Sequence, residues 1–224
     1  MSAPTTKDRL LDEAEKLFAH NGFDAVSVRD IAAAAEANAA AINYHFQSKE
    51  NLYQEVLRRR ILPKRERLLA MLDEVEGMDQ ALRLEAVFRG FARVHLDDAI
   101  RRPGGALVML LMSRELTDPR PEVGLVVAEL VQPIRARMLA LLQPLLPALT
   151  PRDQQLLIGS HMGQIVYFAV QWNKLQAQQE AGLPPFIPLP ALAVDVETYV
   201  GLIIDHVTRI TVAGARAMQE EASA

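Results

Sequence analysis

The chain has 224 residues, half of them apolar and 23% charged, with a net charge of −4 and a pI of about 5.8. That length can bury a sizeable core, the balance excludes a disordered chain, and the acidity excludes a broad basic surface of the kind that coats nucleic acid, though not a small local contact. The absence of cysteine excludes disulfides and thiolate metal sites.

Ala, Leu, Glu, Gln and Arg dominate and β-branched residues are sparse, so the expected fold class is all-α. The first helix starts near Thr5, where Thr5 and Asp8 have the spacing of a capping box. Leu10, Leu11, Ala14, Leu17 and Phe18 then form an apolar face, and Asn21-Gly22 supplies the stop. Ser27 with Asp30 opens a second, very short helix whose buried side is Ile31, Ala32 and Ala35. After Glu36-Ala37, Asn38 caps a third helix over 39–45, and Ser48 caps a fourth that runs to Ile61-Leu62. Two short helices joined by a turn of about three residues have the spacing of a helix-turn-helix.

Beyond Pro63 the pattern lengthens. Helices are expected at 64–76, 79–99, 105–117, 122–147, 152–178 and 192–218, with Pro133 and Pro144 kinking or splitting the fourth of these. The expected division is a small domain over 1–62 and a larger helical domain over 63–224. No secretory signal is visible, and the longest apolar runs, such as GALVMLLM over 105–112, are too short to span a bilayer. A cytoplasmic protein is expected. There is no Gly-rich phosphate loop, no paired-histidine motif and no cysteine, so the chain does not read as an enzyme and no cofactor or metal is assigned.

Two stretches, AEKLFAHNGFDAVSVRDIA and INYHFQSKENL, with the spacing between them, resemble the DNA-binding domain of the TetR/AcrR family of bacterial transcriptional regulators over roughly residues 5–57. SRELTDPRPEVGLVVAELVQPI (113–134) and GQIVYFAV (163–170) are similar to the C-terminal domain of the CerR/YbiH-like subgroup. The resemblance implies an operator-binding homodimer, a repressor released by a small apolar or amphipathic effector. In a helix-turn-helix the second helix enters the major groove by its N-terminal residues, here Asn38, Ala39, Ala40 and Asn43. Alanine methyls can meet thymine methyls, and Asn can pair with adenine. Tyr44, His45, Lys49, Ser27 and Arg29 are placed to meet phosphates, and Phe46 to point inward. Two departures stand out: Glu36 occupies the turn where the family usually has Gly, and the recognition helix lacks the Lys, Thr or Arg often seen there. They keep open a second reading, a helical adaptor with weakened DNA binding.

The larger domain offers two candidate surfaces. Gly159 and Gly163 on one helix, with Val196, Val200, Ile203, Val207 and Ile210 on the last, fit a dimer interface of four helices across a two-fold axis, or packing within one chain. Met109, Met112 and Leu116, with His161, Gln164, Tyr167, Phe168 and Trp172, fit either an effector pocket or plain core. His95 and Asp98 in HLDD share a helix face, but with no second cluster they read as a solvated helix end rather than a metal site.

Overall fold

The computed structural model describes residues 4–102, 104, 105, 107, 111, 121–182 and 195–224. These are helical throughout apart from turns: α1 Thr6–Asn21, α2 Val28–Ala34, α3 Ala39–Phe46, α4 Lys49–Glu76, α5 Gln80–Leu96, a single π-helical turn Asp97–Arg101, α6 Pro121–Leu142, α7 Pro151–Glu180 and α8 Val196–Ser223. The chain's contacts divide it into two compact units, Met1–Pro63 with Leu107–Gln132, and Lys64–Ala106 with Pro133–Ala224.

In the first unit each short helix starts on a side-chain cap. The Asp8 amide donates to the Thr5 hydroxyl at 3.2 Å while the Thr5 amide donates to the Asp8 carboxylate at 3.1 Å. The Ser27–Asp30 pair repeats that exchange at 3.2 and 2.9 Å. α1 stops at Gly22, whose φ of 84° is open to glycine without a Cβ penalty. Beneath the helices lies one core: Leu10, Ala14 and Phe18 of α1, Ile31 of α2, Ile42 and Phe46 of α3, and Leu52, Tyr53, Val56 and Leu57 of α4, joined by Leu111. Phe18, Phe23 and Tyr53 form an aromatic triad, with ring centroids 4.9 to 5.5 Å apart. Truncating such a buried side chain to Ala costs about 2–5 kcal/mol.

α4 corrects the expected break at Pro63, since the helix runs through it to Glu76. A proline removes one backbone hydrogen bond, and burial holds both arms. Leu57 and Ile61 precede it in the first core, and Leu68, Leu72 and Val75 follow it in the second unit. Other boundaries move as well. α5 leaves α-helical geometry at Leu96, α6 ends at Leu142 so that Pro144 lies in the following turn, and most of the expected 105–117 helix lies outside the described residues.

The second unit is built on α5, α7 and α8. α5 buries Leu84, Val87, Phe88, Phe91 and Leu96, while α8 buries Tyr199, Val200, Ile203, Ile204 and Val207. His161 of α7 ties the three together: its Nε2–H donates to the Phe88 carbonyl (3.0 Å), which leaves Nδ1 to accept from the Thr211 hydroxyl (2.8 Å). His95 of α5 donates from Nδ1 to the Phe91 carbonyl at 2.8 Å. HLDD is therefore not a solvated helix end, because His95 is buried and the Asp98 carboxylate is bonded by Arg67.

Burial pushes His161 down to about 4 and His95 well below the ordinary histidine value. Both fold as neutral rings, whereas the unfolded chain takes up their protons below about pH 6.5. Stability is thus fully present above that pH and falls as pH drops from about 6.5 toward 4, by an amount on the order of 3 kcal/mol for His161. The capping carboxylates Asp8 and Asp30 are held below the usual value of 3.8 by their Thr5 and Ser27 hydrogen bonds, so they lose their contribution only at lower pH. Urea midpoints should fall between pH 7 and 5. In H161N the fall should be shallower, and an unchanged slope would show that the ring takes up its proton in the native state as it does in the unfolded chain.

Candidate nucleic-acid interface

The turn between α2 and α3 is a Schellman motif. The Ala37 amide donates to the Ala32 carbonyl at 2.9 Å and the Glu36 amide to the Ala33 carbonyl at 3.2 Å. Such a motif requires a left-handed residue, and Glu36 supplies it at φ 50°. A non-glycine residue is strained in that conformation. Arg9 of α1 braces the turn, its Nε donating to the Ala35 carbonyl at 3.2 Å. α3 then starts on Asn38, whose Oδ1 accepts from the Ala40 amide at 2.9 Å. It ends at Gln47, a second non-glycine residue at positive φ, 69°.

With Ile42 and Phe46 in the core, the opposite face of α3 is presented outward. Ala40 and Asn43 are exposed, Ala39 and His45 half-buried, and Tyr44 is 84% exposed. An aromatic residue so exposed on a short helix contributes little burial energy and leaves its ring and hydroxyl open to contact. Tyr44 and His45 meet edge to face, with centroids 4.9 Å apart. The Lys49 ammonium sits 4.1 Å from the Phe23 ring centroid, a cation–π contact that limits where the charge can roam.

Two polar groups differ from their sequence assignment. The Ser27 hydroxyl donates to the Asp30 carboxylate at 2.7 Å, so its proton is committed to the cap. A phosphate there would meet the amides of the helix's first turn, which lack intrahelical partners, with Arg29 exposed beside them. The Asn38 carbonyl is likewise committed to its cap, leaving only its NH₂ group to donate. Arg9 and Phe23 were missed in the sequence. Each acts through a contact far along the chain, and neither has a spacing signal.

The residues assigned to the larger domain separate onto two faces. Trp172 is buried against Tyr199, centroids 4.5 Å apart, and the Tyr199 hydroxyl donates to the Phe168 carbonyl at 2.9 Å. Phe168 is half-buried with its ring 5.8 Å from that of His206. His161 has both ring nitrogens engaged, as the plain-core alternative requires. The Gln164 amide donates to the Ser160 carbonyl at 3.4 Å, and Tyr167 is 47% exposed on the other side of α7. Met109, Met112 and Leu116 lie outside the described residues. Among the assigned interface residues, Val200, Ile203 and Val207 are buried within the chain itself, because the apolar stripe of α8 is consumed by α5 and α7. Val196 is half-buried, while Gly159, Gly163 and Ile210 are exposed. Leu156 and Leu202, not singled out from the sequence, are exposed with them.

Residues 10–56 match the family described as bacterial regulatory proteins, tetR family. The same region is 39% identical over 51 residues to the HTH-type transcriptional regulator QacR of Staphylococcus aureus, covering 23% of this chain and 27% of that protein. It is 40% identical over 53 residues to the probable HTH-type transcriptional regulator YttP of Bacillus subtilis, covering 24% and 26%. The chain thus aligns with about a quarter of the length of these relatives. Over most of its length the fold is similar to that of the fatty acid degradation regulator FadR from Bacillus halodurans. The TM-score is 0.61 at 15% identity, over 93% of this chain and 97% of that one. It is similar too to the TetR family transcriptional regulator PfmR from Thermus thermophilus, with TM-score 0.54 at 22% identity, over 90% and 98%. The helix-turn-helix is therefore of the TetR type, and the all-helical fold extends through the C-terminal region.

Relief of the left-handed strain at Glu36, about 1–2 kcal/mol, exceeds the entropy that a glycine adds to the unfolded chain, about 0.4–1 kcal/mol. E36G should therefore raise stability by about half to one kcal/mol, read as the denaturant midpoint. E36Q keeps the side chain in the same conformation and should leave the midpoint nearly unchanged.

Proposed function

We propose that this TetR-type domain is the reading head of a transcriptional repressor that binds a palindromic operator as a homodimer and is released by a small molecule. The exposed face of α3 carries the reading: Ala39, Ala40 and Asn43 toward base edges, and Tyr44, His45 and Lys49 toward phosphates, over a core that holds the helix in place. One such helix makes few base contacts, so a dimer spanning two half-sites is required for useful specificity.

The exposed faces of α7 and α8 support the dimer. Leu156, Gly159, Gly163 and Tyr167 recur at three- and four-residue spacing on α7, and Leu202, Ile210 and Gly214 lie eight and four residues apart on α8. Among the described residues nothing lies within 4 Å of a Cβ placed at Gly159, Gly163 or Gly214, so these glycines relieve no crowding there. Each costs about 1 kcal/mol relative to Ala in a helix interior, which close approach of a second helix would offset. Placement of the C-terminal half in the CerR/YbiH-like subgroup rests on the sequence of residues 113–134 and 163–170.

A second reading is favoured by one observation. Glu36 adds an acidic, exposed group to the turn that precedes the recognition helix, where it would repel phosphate. The chain would then be a helical adaptor with weakened DNA binding.

Selection of bound duplexes from a random pool, repeated across salt, decides between them. A two-fold symmetric motif with half-sites about one helical turn apart is expected, and absence of enrichment would favour the adaptor. On the selected operator, K49A and Y44A should weaken binding to all sequences alike, with K49A lowering the salt slope by about one. N43A should change sequence preference. E36Q should tighten binding with no change in fold stability. L202E combined with I210E should yield a monomer by sedimentation and lose operator binding, and a persistent dimer would remove α8 from the interface.

A further inference from the structure

The second unit carries an open recess of about 520 Å³, walled by the start of α5, the turn between α6 and α7, and the last turns of α8. That volume falls within the range of small-molecule sites, about 300–1,000 Å³. None of Tyr167, Phe168 and Trp172 lines it. Its walls are held by hydrogen bonds. Gln154 is buried against the turn, and its Nε2 donates to the Leu146 and Leu149 carbonyls, each at 3.3 Å. The Ala148 amide donates to the Gln219 Oε1 at 3.1 Å, which ties the turn to α8. The Thr150–Asp153 capping box then starts α7. A recess held in this way is formed before any ligand arrives.

The lining divides into an apolar part and a charged part. α5 and the turn contribute Ala81, Leu84, Leu145 and Leu146, of which Leu84 and Leu146 are buried and Leu145 is half-buried. α8 contributes Arg216, Gln219 and Glu220, which share one helix face by their three- and four-residue spacing. Arg216 and Glu220 are close enough in sequence to pair with each other, yet no ion pair joins them, and among the described residues neither side chain has another partner. Two opposite charges therefore line one recess unpaired, about 6 Å apart along the helix axis. Between them, Gln219 has its Oε1 committed to Ala148, which leaves its NH₂ group to donate. Gln80 lines the α5 side, and its carboxamide is without a partner among the described residues.

We propose that this recess binds a zwitterion whose two charges are separated by an apolar body, the chemistry of an apolar dipeptide. Two extended residues span about 7 Å at most, which matches the separation of Arg216 and Glu220. A single amino acid carries both charges on one carbon atom and cannot bridge them. The Arg216 guanidinium receives the carboxylate in a two-pronged pair, and the Glu220 carboxylate receives the ammonium. The peptide group meets the Gln219 and Gln80 carboxamides, and the apolar side chains cover Leu84, Leu145 and Leu146. A simple anion or cation would satisfy one of the two charges and be repelled by the other. Exposed ion pairs contribute little each, so apolar contact supplies the affinity and the charges supply the selectivity. The site requires nothing of operator binding.

The test uses the full-length protein, wild type, R216M, E220Q and Y167A, titrated by calorimetry at pH 7 with leucyl-leucine, its N-acetyl and C-terminal amide forms, leucine and glycyl-glycine. Leucyl-leucine should bind the wild type at one site per chain. Either cap should weaken it at least about three-fold, leucine should bind at least about three-fold more weakly still, and glycyl-glycine should not bind. In R216M the amide should bind as tightly as the free acid, and in E220Q the acetylated form should bind as tightly as the free amine. Y167A should match the wild type throughout. Arg216 and Glu220 are exposed, so thermal midpoints equal to wild type are expected, and the comparison of capped and free peptides on the wild type needs no variant at all. The proposal is overturned if leucyl-leucine does not bind, if either capped form, leucine or glycyl-glycine binds as tightly, if the cap penalties persist in R216M and E220Q, or if Y167A loses binding.

Discussion

The orientation of α3 about its own axis depends on two side chains, Ile42 and Phe46. An eight-residue helix is too short to persist by its own hydrogen bonds. Burial of these two residues against Leu10, Phe18 and Leu52 both forms the helix and fixes which face turns outward. Everything assigned to the reading head follows from that. Ala39, Ala40, Asn43 and Tyr44 are presented because Ile42 and Phe46 are not. The aromatic triad of Phe18, Phe23 and Tyr53 extends the same core to the start of α4, where Phe23 lies beneath the Lys49 ammonium. A hydrophobic contact thus places a charge.

The second unit solves a related problem with a polar group. A histidine between three helices is costly to bury unless both ring nitrogens are satisfied, and His161 is satisfied from two different helices. The bonds define the register of α5 and α8 on α7 more sharply than apolar packing does, since a shift of one turn would orphan both. That register decides what is left outside. With Val200, Ile203 and Val207 turned toward α5 and α7, the exposed remainder of α8 is Leu202 and Ile210. On α7 the same rotation exposes Gly159, Gly163 and Tyr167.

The first unit was legible in the sequence because its signals are local. Capping boxes at Thr5 and Ser27, the stop at Gly22 and the cap at Asn38 each lie within a few residues of what they specify. The second unit was legible only as a set of helices. On α8 apolar residues occur on more than one face, so periodicity could not say which stripe the chain itself would consume. It left Val200, Ile203 and Val207 open between a dimer interface and packing within the chain, and the three are buried within the chain. The π-helical turn left no readable pattern at all. The close approach of Gly105 to the Asp98 carbonyl joins residues seven apart through backbone geometry. Pro63 misled for the opposite reason. The breaker is real, but buried side chains on either side of it outweigh one lost hydrogen bond.

Places where the chain violates a local rule coincide with the places assigned a function. Glu36 and Gln47 hold left-handed conformations at the two ends of α3, and Tyr44 forgoes burial. Each lowers the stability of the free protein, and each would be relieved or used by contact with something else. The violations differ in kind. Tyr44 presents a group that a phosphate could satisfy. Glu36 presents a charge that operator DNA could only make worse. If the family's usual glycine were present, the same Schellman turn would form without strain and without the negative charge. On the proposed reading as an effector-released repressor, this residue would set operator binding below what the fold permits, and a repressor held to moderate affinity would be released by a smaller differential binding energy of its effector, which would give the costly residue a consistent place in a switch.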